Sequence, residues 1–409
     1  MTDYPSGIGI TTAPYMAEVV GTKIEKEFFG HQQPDLQLYK DAKKFVLEKN
    51  FGNTVRMPIF RPFARNTGTV TEGANPDIDE MLIDSVEVTL AKRGKGARPT
   101  KEVLKTGIKA ISKQMGVSLR VNANDMVTYN LQSILSTRAN RSRVDLNPAY
   151  QGGGTADTCA STTLVDDALE ALFDTNDDMN GGVVGLVQGP GAGQFRIATD
   201  YTASGGSVLV GTWDTTPAST SKYKYCLTDG IDSSMPITTE AIVYTLAALA
   251  QYEGPKYSGI AEFHIMIDRA MASDLMLDPD FKASGIYRDL AKVNEGKLGL
   301  WMGGELGKES RGWTETAGTA GTYVSGGAVH NAFFYGPETF GAVALDDAGE
   351  GVANVEFYNV MTPDHTNWSL AYTTHGYDAY FAAGVPFGPF CHVLSCGSRF
   401  SGLGDVGAV

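Results

Sequence analysis

Lys101, Lys105, Lys109 and Lys113 recur at every fourth position of a segment that also carries Leu104, Ile108, Ile111, Met115 and Leu119. At ~100° per residue the apolar set falls on one stripe of a helix and the lysines on an adjacent face. Such a row of ammonium groups has two readings. It is a solvated face beside a core stripe, or a basic stripe that meets anions, either phosphate or the acidic surface of a partner. In the second reading each lysine is a mobile point charge without base readout, and the contact weakens steeply with salt.

Other chemistry is sparse. Gly189-Pro190-Gly191-Ala192-Gly193 has the texture of a phosphate loop, but the last glycine of Gly-x-Gly-x-x-Gly is missing. Pro190 and the β-rich flanks predict a turn there instead. Gly307-Lys308-Glu309 lacks the leading glycine and the Ser or Thr of a P-loop. Asp174-Thr175-Asn176-Asp177-Asp178 begins like a calcium loop, yet Met179 replaces the required glycine and Gly185 the closing glutamate. A solvated acidic turn is the better reading. His31, His264, His330, His365, His375 and His392 show no metal spacing, and His264 reads as a hydrogen-bonded core-strand residue. No Gly-x-Ser-x-Gly elbow is present. The reading is therefore of a non-enzyme, with no catalytic residue, metal or cofactor.

Composition supports a large folded protein. A chain of 409 residues, 42% hydrophobic and 20% charged, suggests two or three lobes. No apolar run approaches the ~18 residues of a membrane span, so no membrane partner is expected. Met1-Thr2-Asp3-Tyr4-Pro5 lacks the basic and apolar regions of a signal peptide, and a start at Met1 leads us to expect no cleaved prodomain. Cys159, Cys226, Cys391 and Cys396 are too few and too scattered for a disulfide framework or a zinc site. They fit a reducing compartment, and Cys391 and Cys396 read as small buried hydrophobes. A net charge of −14 disfavours a general nucleic-acid binder.

The elements follow from periodicity. Residues 1–50 are low in core positions and read as an arm lying on other surfaces or as a partly disordered terminus. A helix capped by Thr100 carries the lysine row. Val127, Leu131, Ile134 and Leu135 fall off its first stripe, which predicts a break near Asn122-Ala123-Asn124-Asp125 and a second helix to about Arg141. Residues 144–165, with Gly152-Gly153-Gly154, read as linker. Short runs at Val183–Val187, Phe195–Ile197 and Val208–Val210 predict a small antiparallel β module. A helix is expected from Thr238 to Tyr252. Phe263–Ile267 reads as a strand followed by a helix capped by Asp268, and the same pattern is expected after Ala332–Tyr335. This alternation gives an α/β lobe. The aromatic-rich stretch Trp368–Phe400 is β-like and returns beside the long helix.

The most telling segment runs from Gly52 to Gly94. Val55, Met57 and Ile59 alternate on one face of the first arm, and Val86, Val88 and Leu90 on a face of the second. Two half-buried strands result. Between them lies a polar tip containing Thr71, Glu72, Gly73 and Pro76. A two-stranded ribbon alone is marginal in water, and Pro58 removes a ladder donor. Its apolar face needs another surface, and nothing nearby in sequence supplies one. The ribbon therefore reads as an assembly device.

A glycine entering a strand, an aromatic-Pro exit, a Thr-Glu-Gly-x-x-Pro tip, a second strand and a long helix resemble the extended-loop region of tailed-phage major capsid proteins. Those proteins have the Hong Kong 97-type fold, and the branch resembled is that of the podovirus N-four capsid protein. The resemblance covers residues 40–140 and 237–400. It implies an α+β protein with an N-terminal arm at 1–50 and an extended β-hairpin loop at 51–98. A peripheral domain with the spine helix would occupy 99–164 and 350–409, an inserted β module 165–230, and an axial domain 231–349. It further implies hexamers and pentamers closing into an icosahedral shell around double-stranded DNA, in a virion assembled in host cytoplasm. Portal, scaffolding and decoration proteins would be further partners. Some relatives crosslink a loop lysine, but the tip from Thr69 to Pro76 has none, so no crosslink is expected. An encapsulin-like compartment is the nearest alternative. A β-rich hydrolase or surface-binding protein built on 182–225 is the more distant one.

Overall fold

The computed structural model describes residues 36–48, 52–60, 83–99, 111–258, 262–285, 299–301, 304–308, 311–345, 355–360 and 374–401. Three sheets and one long helix organise them.

The helix runs unbroken from Ile111 to Arg138, 28 residues or about 42 Å at the usual rise. The expected break at Asn122–Asp125 does not occur, and the helix ends before Arg141. The apolar stripe changes direction because the helix crosses two cores. Leu119 and Ala123 pack on Val355, Tyr377 and Ala379, whereas Val127, Leu131 and Leu135 pack among Leu38, Trp313, Phe340 and Phe381. Weak helix formers are held in place by tertiary bonds. Asn122 Oδ1 accepts from the Tyr377 hydroxyl at 2.7 Å, and Asp125 pairs with Arg311.

A five-stranded sheet lies against the helix. It joins Lys43–Leu47, Gly341–Leu345, Thr374–Gly384, Glu356–Val360 and Ala91–Ala97. Residues 43–47 are therefore part of this sheet, where an arm was expected, and they pair in parallel with 341–345. The return of the 374–384 strand beside the helix matches expectation.

The eight-stranded axial sheet centres on Phe263–Ile267, Val329–Tyr335 and Cys391–Cys396. Period-two alternation fills two cores at once. Ile265, Phe334 and Leu394 face the helices Thr239–Gln251 and Arg269–Leu277, while Met266, Phe333 and Val393 face the long helix. Thr238 and Asp268 cap the two helices as expected, accepting from Ala241 N and Met271 N. After Tyr335 no helix forms. A turn through Glu338, whose φ is 55°, leads to the strand Gly341–Leu345. The C-terminal strand Cys391–Cys396 belongs to this eight-stranded sheet, and 341–345 to the five-stranded one, so the boundary expected near 350 between axial and peripheral domains does not separate them.

The inserted β module is a seven-stranded antiparallel sheet. Its strands include Gln151–Thr155, Thr158–Cys159 and Thr163–Val165, so the stretch expected as linker, and the boundary at 165, are corrected. Gly152 and Gly154 had suggested a linker. Their bareness serves packing: a Cβ on Gly152 would lie 2.8 Å from the Tyr225 hydroxyl, and one on Gly154 2.6 Å from Asp166 Oδ2. The expected runs at 183, 195 and 208 appear as Val183–Gln188, Phe195–Thr202 and Ser207–Val210.

Candidate assembly interface

The ribbon consists of Thr54–Phe60 and Ile83–Thr89. Its register sets Val55 opposite Val88 and Met57 opposite Val86, so the two apolar rows form one face. The opposite face carries Arg56 opposite Glu87, with Arg56 Nε donating to Glu87 Oε1 at 2.6 Å, and Thr54 beside Thr89.

The apolar face at the ribbon root is covered by the chain itself. Met57, Val88 and Leu90 are buried with Val343, and Phe45, Leu47, Val55, Val86, Leu345 and Ala382 pack around them. Gly341 and Gly384 permit this approach. A Cβ on Gly384 would sit 2.5 Å from Val88 Cγ2 and 3.1 Å from Met57 Sδ, and one on Gly341 2.7 Å from Met57 Cε. The expectation that no nearby surface serves this face is thus overturned for the root. Part of that surface comes from Phe45 and Leu47, close before the ribbon in sequence, and the rest from Val343, Leu345 and Ala382 on strands far along the chain, beyond the range of any local pattern. Met57, Val88 and Leu90 anchor the ribbon to the chain's own sheet.

Ile59 pairs with Asp84 in the distal strand, and Lys113 lies in the first turn of the long helix as described. Thr71, Glu72, Gly73, Pro76, Lys101, Lys105 and Lys109 lie outside the described residues.

The five-stranded sheet adds a surface that sequence reading missed. Tyr358 and Tyr380 are exposed on the face that also receives the ribbon root. Lys92 reaches Asp378 at 2.7 Å and lies over the Tyr380 ring, and its pKa is raised first by the hydrogen bond to Asp378. Alternation through Tyr377, Ala379 and Phe381, all buried, is the signal that assigns Tyr380 to the outer face.

The remaining candidates keep structural roles. Gly189, Gly191 and Gly193 all have positive φ and lie in the turn between two antiparallel strands, so no helix N-terminus is available to a phosphate. The acidic turn bonds to itself, through Thr175 N to Asp178 and Asn180 Nδ2 to Asp177. His264 Nδ1 lies 2.9 Å from Asp41 Oδ2, which also accepts from the Tyr335 hydroxyl, and its ring stacks on Tyr257. Cys391 and Cys396 are buried and free. Among the described residues, no three His, Cys, Asp or Glu side chains gather as a metal site.

No protein-family model matches this sequence, and no curated protein matches it. Solved structures do. The capsid of the cyanophage P-SCSP1u aligns with a TM-score of 0.51 and 11% identity, over 97% of this chain and 100% of that one. The chain has the phage-capsid fold. Capsid structures of cyanophage Pam1 and Ralstonia phage GP4 align at a TM-score of 0.49, with 15% and 11% identity, over 93% and 97% of this chain and 97% and 98% of theirs. We call the long helix the spine helix, the five-stranded sheet peripheral and the eight-stranded sheet axial, as the Hong Kong 97-type resemblance would have them.

Proposed function

We propose that this chain is a major capsid protein. Identical copies would form hexamers and pentamers that close as an icosahedral shell around double-stranded DNA. The observation that carries this reading is the end-to-end correspondence with the cyanophage capsid subunit, which leaves neither chain with a large unmatched domain. A two-stranded ribbon whose root packs on the chain's own sheet supports the same reading. A closed shell needs heterologous contacts that close rings, and the distal part of such a ribbon would supply one. The distal ribbon, from Ile59 through Thr71, Glu72, Gly73 and Pro76, would lie across an adjacent subunit. Each such contact would belong to interfaces of ~2,000 Å² or more.

The lysine row at 101, 105, 109 and 113 would meet packaged phosphate or a neighbour's acidic arm. The role is structural and invokes no catalysis. The virion is the proposed location, with assembly in the host cytoplasm and with portal, scaffolding and decoration proteins as further partners. Negative-stain electron microscopy with solution mass measurement tests this. Megadalton shells carrying nucleic acid are expected. Shells carrying a protein cargo would favour a compartment, and a persistent small oligomer would sink the capsid reading.

A further inference from the structure

A cavity of about 310 Å³ lies where the ribbon root, the long helix, the β module and the 374–384 strand meet. Three guanidinium groups line it from three elements. Arg93 comes from the Ala91–Ala97 strand, Arg138 from the last turn of the long helix, and Arg196 from the module. Two carboxylates share the lining, and both are engaged. Asp214 accepts from Arg196 Nη2 at 2.8 Å, and Glu87 from Arg56 on the ribbon. Arg196 is buried and saturated, its Nε donating to Thr212 O and its Nη1 to Phe195 O. Gln194 is fixed as well, its Oε1 accepting from Asp214 N at 2.6 Å.

The guanidinium groups of Arg93 and Arg138 have no hydrogen-bond or ion-pair partner among the described residues. Arg138 is half-buried and close enough to Arg196 to feel its charge; burial first, then that charge, bring its pKa down to about 10, against a smaller opposing pull from Asp214. It is still protonated at neutral pH. Its place at a helix C-terminus favours a cation but supplies no counter-ion. Two cations without a hydrogen-bonded carboxylate of their own therefore face one recess in a chain where acidic residues outnumber basic ones 47 to 33. Charges held together in a partly desolvated space repel unless an anion joins them.

We propose that this cavity binds a small tetrahedral oxyanion of the phosphate class, held by Arg138 and Arg93. Guanidinium forks match phosphate oxygens bidentately, and the charge-assisted bonds are the strong kind. The volume is at the lower end of ligand sites, which span about 300–1,000 Å³, and suits a single ion with its waters better than a nucleotide. Such an ion would tie the ribbon root, spine helix and module together within one subunit. The site does not depend on shell assembly.

Isothermal titration of inorganic phosphate into the full-length chain tests this, with chloride balancing ionic strength. One saturable site is expected. Arg138→Met should weaken it about tenfold or more, and Arg138→Lys less, because the lysine keeps charge without the fork. Arg93→Gln lies on an exposed strand, is expected to fold normally, and should weaken binding several-fold, which keeps the test open if Arg138→Met misfolds. No saturable heat in the unmodified chain overturns the proposal, as does unchanged affinity in Arg93→Gln and a folded Arg138→Met. Succinate or a short DNA duplex displacing phosphate at lower concentrations than phosphate itself requires would also overturn it. The first would give the site to a carboxylate, the second to nucleic acid.

Discussion

Arg141 donates from Nη1 and Nη2 to the two carboxylate oxygens of Glu315, at 2.8 and 3.1 Å, and neither side chain has any exposed surface. Glu315 Oε1 also accepts from Trp313 Nε1 and Gly321 N, both at 2.7 Å, and Arg141 Nη2 donates to Ser136 O. The pair fastens the strand that leaves the spine helix to the edge of the axial sheet. Removing one partner of a buried pair leaves a bare charge, at a cost of about 3–5 kcal/mol. Glu315→Ala should lower the unfolding free energy of the subunit by that amount in urea. Arg141→Met with Glu315→Leu should recover only part of the loss, since Trp313 Nε1 and Gly321 N still lack an acceptor. A near-neutral Glu315→Ala would show that the pair does not hold the sheet edge.

Met57 is the ribbon's main anchor, buried against Val88, Leu90 and Val343. Truncating a buried methionine to alanine costs about 2–5 kcal/mol, depending on how far the site collapses. Met57→Ala should therefore loosen the root before the body of the subunit. Hydrogen exchange should rise at Val55 and Val88 amides while the axial strand Val329–Tyr335 stays protected. Equal loss of protection in both places would contradict a separate root.

The ribbon, both capped axial helices and the β texture of the module were legible because each has a local signal. Thr238 and Asp268 sit where caps belong, and Val183–Val187 is bounded by glycines. What was not legible arises from distant partners. The stripe shift at Val127 looked like a helix break because the sequence does not reveal that the helix crosses from Tyr377 to Phe381. Gly152–Gly154 looked like a linker because the tyrosine rings over them come from residues 223 and 225. The root of the ribbon looked orphaned because Val343 and Ala382 are far along the chain. The exposed pair Tyr358 and Tyr380 becomes a surface only once their strands are paired in the sheet.

His392 should make stability fall in acid. Burial, helped by the charge of Lys224, pushes its pKa down to about 3, against ~6.5 in an unfolded chain. Its Nδ1 faces Asn140 Nδ2, a donor, so the proton belongs on Nε2, which faces Ser142 Oγ at 2.9 Å. Between pH 6.5 and 3 the unfolded chain binds the extra proton, so stability rises with pH across that window and is lost as pH falls through it. Urea unfolding from pH 7 to 4 should show a slope approaching about 1.4 kcal/mol per pH unit from this group. His392→Gln, which keeps one donor and one acceptor, should flatten it. Parallel slopes in the two proteins would assign the acid loss to other groups.

Thiol reactivity should follow burial. Burial pushes Cys226 and Cys391 up to about 12 and Cys396 well above its usual range, while Cys159 is only half-buried and raised by the same cause. The thiolate is the reactive form. Native protein should expose one slowly reacting thiol to a disulfide reagent, and urea-unfolded protein four. Rapid modification of Cys391 in the folded chain would contradict the packing of the axial strand.

Removing the ribbon tip separates folding from assembly. Met57, Val88 and Leu90 hold the root to the chain's own sheet, and Arg56 with Glu87 closes the outer face. Deleting Gly68 to Asp79 and joining the arms with a short glycine-rich turn leaves all of these contacts in place. The subunit should therefore melt within a few degrees of the intact chain, since none of these root contacts is removed. Assembly should suffer, because the tip is the part of the ribbon proposed to lie across an adjacent subunit. Sedimentation should show free subunits or small oligomers where the intact chain gives shells. Shells of normal yield and size would remove the tip from the proposed interface and transfer its role to the root-side surface around Tyr358 and Tyr380, whose substitution by serine would be the next measurement.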